Sequence, residues 1–200
     1  MSFAEEFIAE SLAVLQAVDA DSIERCVRGI AEVRERGGRL FILGVGGSAG
    51  HASHAVNDFR KLCALEAYAP TDNVSELTAR ANDEGFETIF AAWLAGSRCG
   101  AADAVLVFSV GGGDVERNVS TNIVRALEHA KGVGAAIYGI VGRDGGYTAS
   151  VADACVVIPP LYAPHVTPHT EGLAAVIWHL VVSHPALAAH ATKWESLPSA

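Results

Sequence analysis

Two pairs of side chains carry most of the chemistry this sequence could perform. His54 and Asp58 stand four residues apart in GSAGHASHAVNDF, a stretch whose apolar spacing is helical. One turn of helix sets them on one face, where an imidazole nitrogen and a carboxylate oxygen can share a divalent cation. Late in the chain, Glu171 and His179 lie eight residues apart on another helical run. Eight residues are two turns plus about 80°, so the pair shares a broad face rather than a line. The four together make a nitrogen and oxygen donor set suited to zinc or a similar ion. A His–Asp pair at this spacing is also what an ordinary helix-stabilising surface contact looks like. His51 precedes the first pair. The histidines at 129, 165, 169, 184 and 190 show no comparable pairing, and His169 in VTPHTE reads as a helix-start residue whose ring serves backbone groups.

Two glycine-rich turns are the second feature. Gly44-Val45-Gly46-Gly47-Ser48 follows the apolar run RLFIL, and Ser109-Val110-Gly111-Gly112-Gly113-Asp114 follows AVLVF. Where a strand runs into a helix, such a turn lets backbone approach a ligand, and the free N–H groups of the helix start favour anionic or polar groups. The first turn lacks the third glycine of a dinucleotide fingerprint and the Lys-Ser/Thr of a P-loop, which sets a nicotinamide-dependent oxidoreductase well behind. Asp114 reads as an N-cap for the helix expected at 115–131.

The elements that must position these groups follow from composition and hydropathy. Of 200 residues 50% are hydrophobic and 18% charged, enough for one packed domain and far from a disordered composition. With 14 basic against 23 acidic residues the net charge is −9, so neither nucleic acid nor a membrane is expected as a partner. Cys26, Cys63, Cys99 and Cys155 are too far apart for a metal finger or redox pair and read as small buried residues in a reducing compartment. The start, MSFAEEFIAESLAVL, lacks the basic opening and apolar run of a secretory leader, and a cytoplasmic location is expected.

Residues 1–36 carry two helical patterns broken at VDADS, predicting a helical hairpin. Its apolar positions lie on more than one face, which predicts use in oligomerisation. Strands are expected at 39–43, 65–69, 104–109, 135–141 and 154–158, with helices at about 48–62, 85–98, 115–131 and 169–183. Strands apolar on both faces and separated by helices predict an α/β fold: a three-layer αβα sandwich with a five-stranded parallel sheet, preceded by the hairpin. One domain is expected over 1–200, with a core at 37–185 and a weakly patterned tail at 186–200.

These residues resemble a known family. GVGGSAGHASHAVNDF is similar to the phosphoheptose isomerase signature, in which a GNGGS loop precedes a helix bearing a His and an acidic residue four later. ANDEGFETIF (81–90) resembles the family's ND-x-GF-x-x-IF run, and VGRDGGYTASVADACVVIP (141–159) its later segment. Glu171 and His179 keep the spacing of the family's Gln and His. The family is a branch of the sugar isomerase (SIS) domain superfamily, and the ordered matches span roughly residues 5–185.

The resemblance implies conversion of sedoheptulose 7-phosphate to D-glycero-D-manno-heptose 7-phosphate through an enediol, supplying heptose for lipopolysaccharide and other surface polysaccharide. It implies a homotetramer with active sites between subunits and one zinc ion per subunit held by His54, Asp58, Glu171 and His179. Asp58 would be the catalytic base and His179 the acid. Substrate would meet Val45, Gly46, Gly47, Ser48, Asn82, Asp83, Ser109, Val110, Gly111, Asp114 and Glu171. The sequence departs from the family at Asp58, where the family has Glu, at Glu171 for Gln, at Val45 for Asn, and at SVGGGD for the serine-rich STSGNS phosphate loop. The altered phosphate loop and Val45 favour the alternative, a non-catalytic SIS module that binds a sugar phosphate or a protein partner.

Overall fold

The computed structural model describes residues 1–193 and 195–197. Helices α1 (Phe3–Gln16) and α2 (Ala20–Glu35) come first, and Ser2 and Asp19 cap them by accepting backbone N–H bonds from Glu5 and Asp21. Strand β1 (Leu40–Leu43) leads into α3 (Gly47–Cys63), and β2 (Ala67–Tyr68) follows. After α4 (Val74–Asp83) and α5 (Ile89–Gly96) the chain enters β3 (Ala104–Ser109), α6 (Thr121–Gly132) and β4 (Ala136–Val141). Then come α7 (Gly146–Val151), β5 (Ala154–Val157), a 3-10 turn at Ala163–His165 and the long α8 (Val166–Ser183).

All five strands are parallel, in the order β2-β1-β3-β4-β5. Alternate side chains along each strand feed two cores. Leu40, Ile42, Leu106, Phe108 and Ile140 pack with residues of α2, α3 and α8, whereas Phe41, Leu43, Val105, Val107 and Ile137 pack with α5 and α6. The expected αβα sandwich is therefore present, with helices on both faces of the sheet. The chain leaves β1 towards β2 on one side and meets β3 on the other. That reversal opens a crevice beyond the carboxyl ends of β1 and β3, where the two glycine turns lie.

Several boundaries differ from expectation, each for a local reason. The helix expected over 115–131 starts only at Thr121, because Asn118 (φ 55°) and Ser120 (φ 50°) are left-handed and break any earlier turn. Residues 114–119 instead close on themselves through paired backbone bonds between Asp114 and Val119. Asp114 accepts the Arg117 N–H at 2.9 Å and so caps this turn rather than the helix. The region expected as one helix at 85–98 is preceded by a separate helix, α4. The short α7 opens on two positive-φ glycines, Gly145 as its cap and Gly146 as its first residue, that the strand pattern did not resolve into a helix start. The two N-terminal helices settle on the body, α1 on α8 and α2 on β5 and α8. Beyond α8 the chain is pinned, with Leu187 fully buried and Arg34 donating to the carbonyls of Ala186 and Leu187.

All four cysteines are free thiols. Burial pushes Cys26 and Cys155 up to about 12, and Cys63 and Cys99 up to about 11, so none is a thiolate nucleophile near neutral pH.

The foot of the sheet, opposite the crevice, is held by an ion pair between the buried Asp103 and the half-buried Arg39. Asp103 accepts from Arg39 Nε at 3.1 Å and from its terminal nitrogen at 2.8 Å, and from the backbone N–H groups of Arg39 and Gly100 at 2.9 and 3.0 Å. Burial pushes the Asp103 carboxyl up, but the bonds from Arg39 and the backbone outweigh it and hold it below its ordinary 3.8. A carboxyl depressed in the folded state stabilises fully above the unfolded value and loses that contribution as pH falls through the folded one. Asp103→Ala, which strands Arg39, is expected to lower stability by about 3 kcal/mol at neutral pH in urea unfolding. Wild-type stability should also fall as pH drops below about 4, and the variant should show a shallower acid limb.

Candidate active site

Helix α3 leaves the first glycine turn at Gly46, whose φ of 63° an L side chain rarely adopts, and runs alongside α8. The sequence folds this way because α3 buries Ala52, Ala55, Val56 and Phe59 while α8 buries Leu173, Ala174, Ile177 and Trp178 in the same core. His54, Asp58 and His179 are left on the outer edge of the two helices. Trp178, fully buried, sets their spacing: its ring stacks on His179 at 3.5 Å between centroids and meets His54 edge-on at 4.8 Å.

His179 donates from Nδ1 to the Ala175 carbonyl at 2.7 Å, which leaves Nε2 bare and turned towards Asp58. Nε2 of His179 lies 3.8 Å from Asp58 Oδ2, and Nε2 of His54 lies 3.9 Å from the same oxygen. Both gaps are too long for a hydrogen bond. The three ligand atoms nevertheless lie within 4.8 Å of one another. Two imidazole nitrogens and one carboxylate oxygen facing a common space are a donor set that fits zinc, and the Nδ1 bond of His179 is the outer contact that orients such a ligand. Asn57, which no spacing pattern singled out, donates its side-chain amide to Asp58 Oδ1 at 2.8 Å and leaves Oδ2 for the imidazoles.

The fourth expected ligand lies elsewhere. Glu171 sits over the first glycine turn, where a Cβ on Gly47 would be 2.7 Å from its Oε1. It lines a cavity of about 740 Å³ in the crevice at the β1/β3 switch. Val45, Ser48, Ser109, Val110, Gly111 and Asp114 also line this cavity. Two turns of α8 rise about 12 Å between Glu171 and His179, so cavity and histidine group are neighbours along α3 and α8 rather than one pocket in a single chain. Gly46 stands at the head of α3 with no atom near its would-be Cβ. Asn82 and Asp83, bonded to each other at 2.7 Å, are exposed at the end of α4 and outside the cavity wall.

The glycines of the second turn serve the backbone first. Thr148 and Tyr147 at the start of α7 donate backbone N–H bonds to the carbonyls of Gly112 and Gly113 at 2.9 and 2.8 Å, and Thr148 Oγ1 adds a bond to Gly112 at 2.7 Å. A side chain on Gly112 (φ 70°) would strike the Gly145 carbonyl, and one on Gly146 would strike the carbonyl of Gly111. Arg143, itself at a left-handed φ of 54°, lies with its Cδ 3.6 Å from where a Gly111 Cβ would be and lines the cavity. Asp114 is turned to Arg117 at 3.7 Å, so its charge is partly offset. The crevice therefore offers a cation and a rigid glycine backbone at one end and Glu171 with Ser48 at the other.

A family model described as SIS domain matches residues 5–142. The chain is 35% identical over 149 residues to the probable phosphoheptose isomerase of Thermoplasma volcanium, covering 72% of each. It is 34% identical over 188 residues to the phosphoheptose isomerase of Trichlorobacter lovleyi, covering 88% of this chain and 89% of that one. Its fold superposes on phosphoheptose isomerase GmhA of Neisseria gonorrhoeae with a TM-score of 0.79 at 23% identity, over 90% of this chain and 96% of that chain. No helix among the described residues is long and apolar enough to cross a membrane.

Because Gly112 is required by a close approach as well as by its φ, Gly112→Ala should cost about 1–3 kcal/mol in chemical unfolding. Gly50→Ala, in the first turn of α3 with open space around it, should be neutral or slightly stabilising in the same assay.

Proposed function

The chain belongs to the phosphoheptose isomerase family of SIS domain proteins, and we propose that it is a metal-dependent aldose–ketose isomerase. Its substrate in this reading is sedoheptulose 7-phosphate, converted to D-glycero-D-manno-heptose 7-phosphate in the supply of heptose for surface polysaccharide. The observation that carries the reading is the convergence of two imidazoles on one carboxylate across gaps of 3.8 and 3.9 Å. His54, Asp58 and His179 would hold the ion. A bound zinc would polarise the substrate carbonyl and stabilise negative charge on its oxygen.

Asp58 takes the C1 proton of the ketose and returns a proton to C2, while the O1 hydroxyl proton passes to O2, so that the enediol closes to the aldose with no net change in protons. Asn57 keeps one of its oxygens hydrogen-bonded, which fixes the orientation of the carboxylate. His179 has only Nε2 to offer, since Nδ1 is committed to Ala175, so it serves as ligand or as acid but not both at once. Arg143 and the Gly111–Gly113 backbone supply the anionic end of the substrate with a cation and close main-chain approach, in place of the hydroxyls of a serine-rich loop.

His54 and His179 have side chains 57% and 48% exposed, unlike those of a water-excluding centre. Nearby on α8, Val176 and Leu180 are exposed, as are Phe3, Ile8 and Leu12 on α1. A homotetramer whose subunit interfaces cover these faces would close the site, bring Glu171 and residues such as Asn82 and Asp83 to it from neighbouring chains, and bury the apolar surface. The proposed setting is the cytoplasm.

The reading is tested by assaying sedoheptulose 7-phosphate isomerisation before chelation, after it and after zinc return. Activity should vanish and come back. His54→Ala and His179→Ala should lose bound zinc and activity together with the fold intact, and Asp58→Asn should lower kcat by about 10²–10⁴-fold. Full activity in either histidine variant would sink the assignment, and a monomer in sedimentation at micromolar concentration would contradict the tetramer.

A further inference from the structure

A second meeting of histidines with a carboxylate lies away from the candidate active site. His165, closing the 3-10 turn, and His169, in the first turn of α8, both aim a ring nitrogen at one oxygen of Glu10 on α1. Nδ1 of His165 lies 2.7 Å from Glu10 Oε2, and Nε2 of His169 lies 2.9 Å from it. The three ligand atoms all fall within 4.8 Å of one another. The side chains of His169 and Glu10 are 4% and 12% exposed, and that of His165 is 26% exposed, so the cluster is closed except for an approach past His165. The Phe7 ring walls it on one side, with its centroid 4.5 Å from that of His169 and 5.5 Å from that of His165.

Proton accounting defines what the centre needs. Ser11 Oγ gives its one hydrogen to the Phe7 carbonyl at 2.8 Å, so in its 3.3 Å contact with His169 Nδ1 the oxygen accepts and the ring nitrogen donates. A neutral His169 held this way turns the lone pair of Nε2 onto the Glu10 carboxylate, two acceptors face to face at 2.9 Å. Either a proton on Nε2 or a metal ion must lie between them. The far nitrogen fixed by a hydrogen bond, the near nitrogen bare and an apolar wall outside are the surroundings of a metal-binding imidazole. His165 brings a second imidazole to the same oxygen, completing a two-nitrogen, one-oxygen set that suits zinc. The atoms would separate by about half an ångström to reach the spacing of a tetrahedral site with ~2.0 Å bonds.

We propose that Glu10, His165 and His169 form a second divalent-metal site, independent of His54, Asp58 and His179, which clamps α1 onto α8. Its ion is structural. It fixes the amino-terminal helix, with its exposed Phe3, Ile8 and Leu12, against the helix that carries Glu171 and His179.

The test is to strip the full-length protein with a chelator, add back zinc alone, and measure bound zinc per chain and the Tm. His165→Ala and Glu10→Gln, folded by circular dichroism, should each bind one zinc ion fewer than wild type and lose most of the zinc-induced rise in Tm. His54→Ala should also bind one fewer while keeping the greater part of that rise. His165→Gln, which retains side-chain bulk, serves if the alanine variant does not fold. Equal zinc uptake and equal Tm rise in wild type and a folded His165 variant would overturn the proposal and show that a proton, not a metal, joins His169 to Glu10.

Discussion

The packing of α3 against α8 around Trp178 is the constraint on which the rest depends. The indole is fully buried, and its Nε1 has no acceptor among the described residues, a cost of about 1–3 kcal/mol. That cost is carried where the ring fixes the separation of two helices. His54 touches one part of it and His179 stacks on another, so the gap between their Nε2 atoms and Asp58 is set by core packing rather than by surface side chains choosing rotamers. A site built on packed helices holds its geometry more tightly than one built on loops.

The crevice beside it is rigid for a different reason. The turns after β3 and β4 are joined main chain to main chain, through the bonds of Tyr147 and Thr148 to Gly113 and Gly112. Glycine is needed there first to let two backbones meet, and the surface this leaves for a ligand follows from that meeting. The parallel sheet supplies the frame, since β1 and β3 diverge into these turns at the one place where the strand order reverses.

Much of this could be read from the sequence because it is written in short-range patterns. Strands apolar on both faces and the glycine turns that end them fixed the sheet and the crevice, and the i, i+4 spacing placed His54 with Asp58. Across the two helices, His179 joined them only through the packing of Trp178. Glu171 shows the limit: its distance from His179 along α8 was plain, but its proximity to Gly47 depends on how α8 crosses the first turn. The turn at 114–119 was read as helix because its charges and Val residues fit that period, and two left-handed residues decided otherwise. His165 and His169 are also four apart, yet went unpaired because their acid, Glu10, lies more than 150 residues away in sequence. Asn57 had no signal beyond standing next to Asp58.

The picture is of one αβα body with a polar crevice lined by charges of both signs and an adjoining edge of imidazole and carboxylate. An isomerase of this kind must lift a proton from one carbon and return one to the next, and Asp58 is the group proposed to do so. Proton exchange reports this step most directly. Sedoheptulose 7-phosphate would be turned over in deuterium oxide by the zinc-loaded protein and the product examined by proton NMR. The account expects deuterium at C2 of the aldose, delivered through the solvent-exchanged carboxyl of Asp58. Aldose with only protium at C2, formed just as fast by Asp58→Asn, would contradict it.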